Sequence, residues 1–179
     1  MSTTTIDDQL AEIRRRIDRL QAHAQVGKQR IRRHLDALHE EEAAVRAAAR
    51  RAPDEVEEKL GQLRTRLDVA ERSLEADAAE DWETFSAAVE AELQSWDTYL
   101  ERLQTSVAAK AGKAREQAEA AIGDVRSRRI ALGERLAQVR GSAGAASKEA
   151  RKHITAFRDE LEEKAAELFT KLNSKERTT

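Results

Sequence analysis

Cysteine is absent from the sequence, which excludes disulfides, thiolate nucleophiles and cysteine-ligated zinc or iron–sulfur sites. A single proline and seven glycines interrupt the 179 residues, and no segment alternates β-branched or aromatic residues with polar ones as a strand does. No apolar run approaches the about 18 residues that span a membrane. The N-terminal MSTTTIDDQL has neither the basic nor the apolar region of a signal peptide. We therefore expect a cytoplasmic protein built from helices.

Large apolar side chains are also scarce. Aromatic residues make up 3% of the chain and charged residues 37%, and much of the hydrophobic 40% is alanine, which buries little area. Abundant Ala, Glu, Leu and Arg at helical spacing is typical of long helices that touch along narrow seams. The predicted fold class is all-α: a single elongated domain over residues 1–179, formed by an antiparallel helical bundle or coiled coil of three or four long helices.

The few breaks in the pattern place the helices. Pro53 suits the first position of a helix and disfavours helical geometry at the residue before it, so it predicts a tight αα-hairpin. The segment GSAGAAS predicts a second turn, with Gly141 as a left-handed cap and Gly144 as a hinge. The predicted helices are helix 1 at about 6–50, helix 2 at about 53–104, helix 3 at about 105–140 and helix 4 at about 147–173. The apolar stripe keeps its phase across residue 104, so the sequence leaves open whether helices 2 and 3 are continuous.

The packing centre is predicted in the window 82–103, which holds both tryptophans and the only tyrosine. Its large apolar residues recur every three or four positions and so share one helix face. Folding back at Pro53 would place this face opposite the aliphatic stripe at the start of helix 1. The predicted core residues are Trp82, Phe85, Val89, Leu93, Trp96, Leu100 and Leu103 on one side, and Ile6, Leu10, Ile13, Ile17 and Leu20 on the other.

Charge is unevenly distributed along the chain. Residues 53–104 carry 5 basic and 15 acidic side chains, whereas residues 1–52 carry 11 and 8, and residues 105–140 carry 8 and 4. An acidic segment is thus flanked by two mildly basic ones. Opposite charge on neighbouring helices favours their pairing and fixes which helices pair.

Motifs for catalysis are missing: there is no P-loop, GxGxxG or HExxH pattern. A metal-binding bundle would need paired Glu-x-x-His motifs, and the nearest approaches are Asp36 with His39 and Glu149 with His153. We interpret these as solvated polar positions and keep a metal-binding bundle as a remote alternative. The chain is therefore expected to be no enzyme and to have no cofactor, metal or small-molecule substrate.

Two kinds of surface binding are alternatives to protein interaction. Arginine clusters at 14–16, 30–33 and 126–129 are interrupted by acids in a chain of net charge −2, which disfavours nucleic acid as a partner. Residues 107–123, VAAKAGKAREQAEAAIG, resemble in composition the amphipathic repeats of exchangeable apolipoproteins, late-embryogenesis-abundant proteins and phasins. That resemblance implies reversible binding to lipid or particle surfaces. However, surface-binding helices usually present bulky apolar residues, and alanine inserts weakly.

Heptad-like periodicity without a catalytic constellation predicts a non-enzymatic structural or scaffolding protein. It would act by self-association, as a homo-oligomer, or through a helical protein partner. The alternative is reversible binding of a membrane, lipid or particle surface by amphipathic helices.

Overall fold

Helices form the secondary structure of the described residues. The computed structural model of the chain describes residues 3–24, 29–141 and 148–173. Within them lie six α-helices and no strand, and a 3₁₀ turn at Pro53–Glu55 precedes the third helix. The all-α helical bundle is thereby confirmed. The helices are α1 Thr3–Ala24, α2 Gln29–Arg51, α3 Val56–Ala78, α4 Trp82–Ala108, α5 Gly112–Arg140 and α6 Lys148–Asn173.

The number of helices differs from the expected three or four long ones. Predicted helix 1 is divided into α1 and α2, which pack on each other, with Arg14 of α1 paired to Glu42 of α2 at 2.7 Å. Predicted helix 2 is likewise divided into α3 and α4. Each helix packs against the next along the chain, and α6 also reaches α2. These helices fold on one another and bury their apolar faces in two cores within one chain.

The break between α3 and α4 contains neither proline nor glycine. Ala79 is extended, at φ −64° and ψ 128°, and Asp81 caps α4 by accepting a 2.7 Å hydrogen bond from the Thr84 backbone N–H. The Thr84 hydroxyl donates to the other oxygen of the same carboxylate at 2.8 Å. This cap satisfies a backbone donor that a helix start leaves unpaired. Residues 79–81 therefore form the turn between α3 and α4.

Helices α4 and α5 are not continuous. The helix ends at Ala108, and α5 begins at Gly112, whose φ is +65°. Left-handed backbone strains any residue with a Cβ, so glycine is suited to this position. Pairs Glu90–Arg140 and Asp97–Arg129 show that α5 runs back antiparallel along α4.

The turn predicted at Pro53 is present, and the cap predicted at Gly141 has a different geometry. Pro53 opens the 3₁₀ turn between α2 and α3, with basic Arg50 and Arg51 ending α2 and acidic Asp54 following it. Gly141 follows α5 with φ −79° and ψ −5°, so the predicted left-handed cap is wrong. Its N–H instead donates to the Ala137 carbonyl at 3.2 Å within an ordinary right-handed turn. Gly144 lies outside the described residues.

Two hydrophobic cores lie on either side of α3. The first core joins α1, α2 and one face of α3, and the second joins the other face of α3 to α4, α5 and α6. Leu63 and Leu67 of α3 belong to the first core, whereas Val69 and Ala76 belong to the second. The predicted packing of the aromatic window on the start of helix 1 is therefore wrong. The turn at Ala79 folds α4 back over α3. Helix α3 therefore lies between the aromatic window and the start of helix 1.

Charge complementarity between segments is visible in pairs between helices. Arg16 of α1 contacts Asp68 and Glu71 of α3 at 2.7 and 2.9 Å. Arg129 of α5 contacts Asp97 of α4 at 2.7 Å. The two basic segments that flank the acidic segment thus pair with it, as is expected of oppositely charged neighbours. Among the described helices, none has the length and apolar character needed to cross a bilayer.

Candidate functional site

A layer of charged and polar side chains is buried where α2, α3, α4 and α6 meet, between the two cores. We call this layer the buried charge cluster. Six of its members are buried, and the seventh, Asp77, is partly buried. Burying a charge costs free energy unless the group is paired and hydrogen-bonded. The partners of each group therefore determine whether this layer stabilises the fold. The members are Arg30, His34, Ser73, Asp77, Glu92, Arg158 and Glu162.

Arg158 is the most deeply buried charged residue of the cluster, with 0% of its surface exposed. Its guanidinium donates to Glu92 Oε2 and Asp77 Oδ1, both at 2.9 Å, and to the Ser73 carbonyl and hydroxyl oxygens at 3.1 Å. Burial opposes the positive charge, but the charges of Glu92 and Asp77 outweigh it and raise the pKa of Arg158. One α6 side chain thus connects α3 with α4.

Arg30 makes the corresponding connection from α2. Its Nη1 donates to Glu162 Oε1 at 2.9 Å, its Nη2 donates to Asp159 Oδ1 at 2.8 Å, and its Nε lies 3.4 Å from Asp77 Oδ2. Arg30 and Arg158 therefore share the Asp77 carboxylate, each through a different oxygen. Rigid bidentate guanidinium groups suit such shared ion pairs better than lysine does.

His34 is held in one tautomer by its neighbours. Arg66 Nη1 lies 2.8 Å from His34 Nδ1, and because arginine only donates, Nδ1 must be an acceptor. The proton is therefore on Nε2, which donates to Glu162 Oε1 at 3.1 Å. Burial, followed by the charge of Arg66, lowers the pKa of His34, so the ring is neutral. For Glu162, burial is outweighed by the hydrogen bond from His34 and the charge of Arg30, which lower its pKa.

The same residues include a metal-like arrangement. His34, Glu92 and Glu162 each offer one ligand atom, and these atoms lie within 4.8 Å of one another. Glu92 Oε1 and Glu162 Oε2 have no hydrogen-bond partner among the described residues. However, coordination by His34 Nε2 requires the proton on Nδ1, where Arg66 also directs a donor. The arrangement therefore suits a fixed ion-pair layer better than a metal centre.

Arg66 extends the network towards the aromatic residues of α4. Its guanidinium carbon lies 4.8 Å from the Trp96 ring centroid and 5.9 Å from that of Tyr99. The Tyr99 hydroxyl donates to Glu41 Oε1 of α2 at 2.6 Å. Burial raises the pKa of Glu41 to about 7, although the Tyr99 hydrogen bond and Arg66 oppose the shift. The pKa of Tyr99 is also raised, first by burial and then by the Glu41 charge.

A cavity of about 360 Å³ opens beside Glu41 and Tyr99. We call it the Glu41 cavity. Its walls come from α2, the 3₁₀ turn, α3, the end of α4 with the two residues after it, and the end of α6. Four large apolar side chains line it, and charged residues from the 3₁₀ turn, from the start of α3 and from the segment after α4 also contribute. The large apolar side chains are Leu103, Val107, Phe169 and Leu172.

The exposed face of α5 is a third feature. Among the described residues, Ile130 is the one large hydrophobic residue that is exposed, with 54% of its surface accessible. It lies on an outward stripe of mostly small residues whose positions step by 4, 3, 4 and 3. We call these residues the outer stripe of α5. They are Gly123, Ser127, Ile130, Glu134 and Ala137.

The predicted core residues fall into two groups that do not meet. All seven of the aromatic window lie in or against the second core, and all five of helix 1 lie in or against the first. Trp82 and Ile6 are partly buried and the others are buried. The buried ones are Phe85, Val89, Leu93, Trp96, Leu100 and Leu103 in one group, and Leu10, Ile13, Ile17 and Leu20 in the other.

The histidine and carboxylate positions singled out in the sequence lie elsewhere. Asp36, His39, Glu149 and His153 are all exposed. The residues that the fold brings together were missed, although their spacing carried a signal. Glu92 lies three residues after Val89 and four before Trp96, so it shares their buried face. Arg158, between Ile154 and Leu161, and His34, between Ile31 and Leu38, follow the same rule.

The arginine clusters considered for nucleic-acid binding are largely engaged in ion pairs. Five of their arginines contact carboxylates, each on another helix, at 2.7 to 2.9 Å. Contacts that neutralise a guanidinium lower its attraction for phosphate. The paired residues are Arg14, Arg16, Arg30, Arg128 and Arg129.

Comparison with known proteins gives no relative. No protein-family model, no curated protein and no solved structure matches this chain.

Proposed function

We propose that this chain is a non-enzymatic structural protein that acts by self-association, with α5 of one copy packed against α5 of a second. The observation that carries the proposal is Ile130, 54% exposed at the centre of the outer stripe of α5. An exposed large apolar residue on an outward stripe of mostly small side chains favours contact with another protein. Alternating steps of 3 and 4 match the seam by which two helices pair.

Small residues on either side of Ile130 favour close approach of a second helix. Gly123 and Ala137 lie one heptad before and after it. The space where a Cβ of Gly123 would point is open, with no atom of another described helix within 4 Å. A second helix can therefore approach this face without steric hindrance from the bundle.

The charges beside this stripe are self-complementary in one orientation. With a two-fold axis through Ile130 and the helices antiparallel, Glu134 faces Arg126 of the second copy and Ala137 faces its Gly123. Arg126 and Glu134 are both exposed, and neither makes an ion pair with another described residue of its own chain. In a dimer with two-fold symmetry, each such contact occurs twice. This complementarity favours a second copy over an unrelated partner helix.

One exposed isoleucine and two charge pairs make a small interface, at the lower end of the sizes found in specific complexes. We expect a dimer that dissociates in the micromolar range. Size-exclusion chromatography with light scattering over a range of loading concentrations should show a mass rising from monomer to dimer. Ile130→Glu should remain a monomer at every concentration.

Ala156→Glu is the matched control, because it places the same charge on an exposed position of α6. It should dimerise as the unmodified chain does. A monomer in all three samples would count against self-association and favour a separate helical partner.

Binding to lipid surfaces would require the bundle to open. In the segment that resembles amphipathic repeats, Val107, Ala118, Ala121 and Ile122 are buried in the second core. Their apolar face is thus already covered by protein. Anionic vesicles added to the same chromatography would reveal this alternative as protein eluting with the vesicles.

A further inference from the structure

The Glu41 cavity combines a buried carboxylate with apolar walls. We propose that it is a binding site for a small amphipathic cation, whose ammonium group pairs with Glu41 and whose hydrocarbon part lies against Leu103, Val107, Phe169 and Leu172. The site is separate from the outer stripe of α5, since none of the residues lining the cavity comes from α5. The proposal therefore stands independently of self-association.

Glu41 has an unused acceptor. Only 7% of the residue is exposed, and Tyr99 donates to Oε1 at 2.6 Å, but Oε2 has no hydrogen-bond partner among the described residues. A buried polar atom without a partner costs free energy, and that cost is removed when a donor reaches it. An ammonium group supplies both N–H donors and a compensating charge. Burial raises the pKa of Glu41 to about 7, and a bound cation would favour its ionised form.

The shape and lining of the cavity fit a small organic molecule. Its volume of about 360 Å³ is within the range of ligand pockets, which combine apolar walls with a few polar groups. Leu103 and Val107 are buried, whereas Phe169 and Leu172 of α6 are partly exposed and would be covered by a ligand. The walls therefore favour an alkyl chain beside the charged group.

The charged lining also bears on the choice of ligand. Glu55 and Glu58 are exposed lining residues, and Lys59 and Lys110 are partly exposed ones. The charge of Lys59 already acts on Glu41 and lowers its pKa. An alkyl carboxylate would gain from the lysines but would bring a second negative charge next to Glu41. An alkylammonium ion avoids the repulsion by Glu41, and the three carboxylates of the lining outnumber the two lysines.

Three probes of equal length separate the contributions of charge and tail: hexylammonium, 1-hexanol and hexanoate. Isothermal titration calorimetry at neutral pH should show hexylammonium binding at least about tenfold tighter than hexanol, because hydrogen bonds to charged groups are the stronger ones. In methyl NMR spectra, hexylammonium should shift the Leu103 and Val107 signals and leave Ile130 unchanged. Tighter binding of hexanoate, or no saturable binding of hexylammonium, would overturn the proposal.

Two variants test the assigned groups. Glu41→Gln keeps an oxygen for the Tyr99 hydroxyl, so it should retain the fold while reducing hexylammonium affinity about tenfold and leaving hexanol unchanged. Glu40→Gln makes the same chemical change at the neighbouring exposed position and should change neither. Ala44→Leu fills part of the cavity and should weaken both ligands. Equal loss of hexylammonium affinity in Glu41→Gln and Glu40→Gln would contradict the pairing with Glu41.

Discussion

Replacing Arg158 with methionine should destabilise the fold strongly. The substitution keeps an unbranched side chain of similar length but removes the donors to Glu92, Asp77 and Ser73. Glu92 is 1% exposed and its Oε1 already has no partner, so its carboxylate would be left buried without a hydrogen-bonded counter-charge. Breaking a buried pair in this way costs about 3–5 kcal/mol. Since a domain is stable by about 5–15 kcal/mol in total, the loss would be a large share.

Urea denaturation followed by circular dichroism at 222 nm measures this loss. The control is Arg128→Met, which breaks an exposed pair with Glu160 at 2.8 Å and should cost less than about 1 kcal/mol. Adding Glu92→Met to Arg158→Met should recover part of the stability, because the uncompensated carboxylate is then gone. An Arg158→Met protein as stable as Arg128→Met would refute the view that the layer is buried and paired.

Three further predictions concern other parts of the fold. Trp96→Ala should lower the free energy of unfolding by about 3–5 kcal/mol because Trp96 is fully buried. Trp82→Ala should cost less because Trp82 is only partly buried. Urea denaturation of the two variants compares these losses. Glu41 has a folded-state pKa of about 7, above its ordinary value of 4.5, so the folded chain holds a proton that the unfolded chain loses. Stability should therefore fall by about 3 kcal/mol as pH rises from about 4.5 to 7, and Glu41→Gln should remove this component of the pH profile. Gly112→Ala should cost about 1 kcal/mol because φ is +65°, whereas Gly123→Ala within α5 should gain up to about 1 kcal/mol; thermal unfolding of dilute samples should show shifts of opposite sign.

Helical periodicity was sufficient to predict the fold class but not the number of helices. Pro53 opens a turn because its ring limits the backbone geometry of the residue before it. This is a local effect that the sequence shows directly. The turn at Ala79 has no such residue, and the apolar stripe passes through it in phase. Its one local signal is the cap formed by Asp81 and Thr84, whose sequence spacing is also common within helices. Packing of α4 back onto α3 stabilises the turn, and periodicity alone carries no information on that contact.

The buried charge cluster was hidden by a similar ambiguity. In a chain that is 37% charged, an isolated Glu92 or Arg158 has the composition of a solvated face. Their positions on the buried stripe became meaningful only once α3, α4 and α6 were brought together, because each charge needs a partner from another helix. The Glu41 cavity was equally invisible, since its lining comes from segments between residues 41 and 172.

Charge reversal at α5 tests self-association most directly. In the antiparallel dimer, Arg126→Glu places two acids opposite each other, and Glu134→Arg does the same with two bases. Sedimentation equilibrium should show each single variant dimerising about tenfold more weakly, because both symmetric pairs become repulsive. The double variant Arg126→Glu with Glu134→Arg restores opposite charges and should dimerise like the unmodified chain. An unmodified chain that stays monomeric, or a double variant that dimerises no better than the single ones, would contradict the proposed α5 interface.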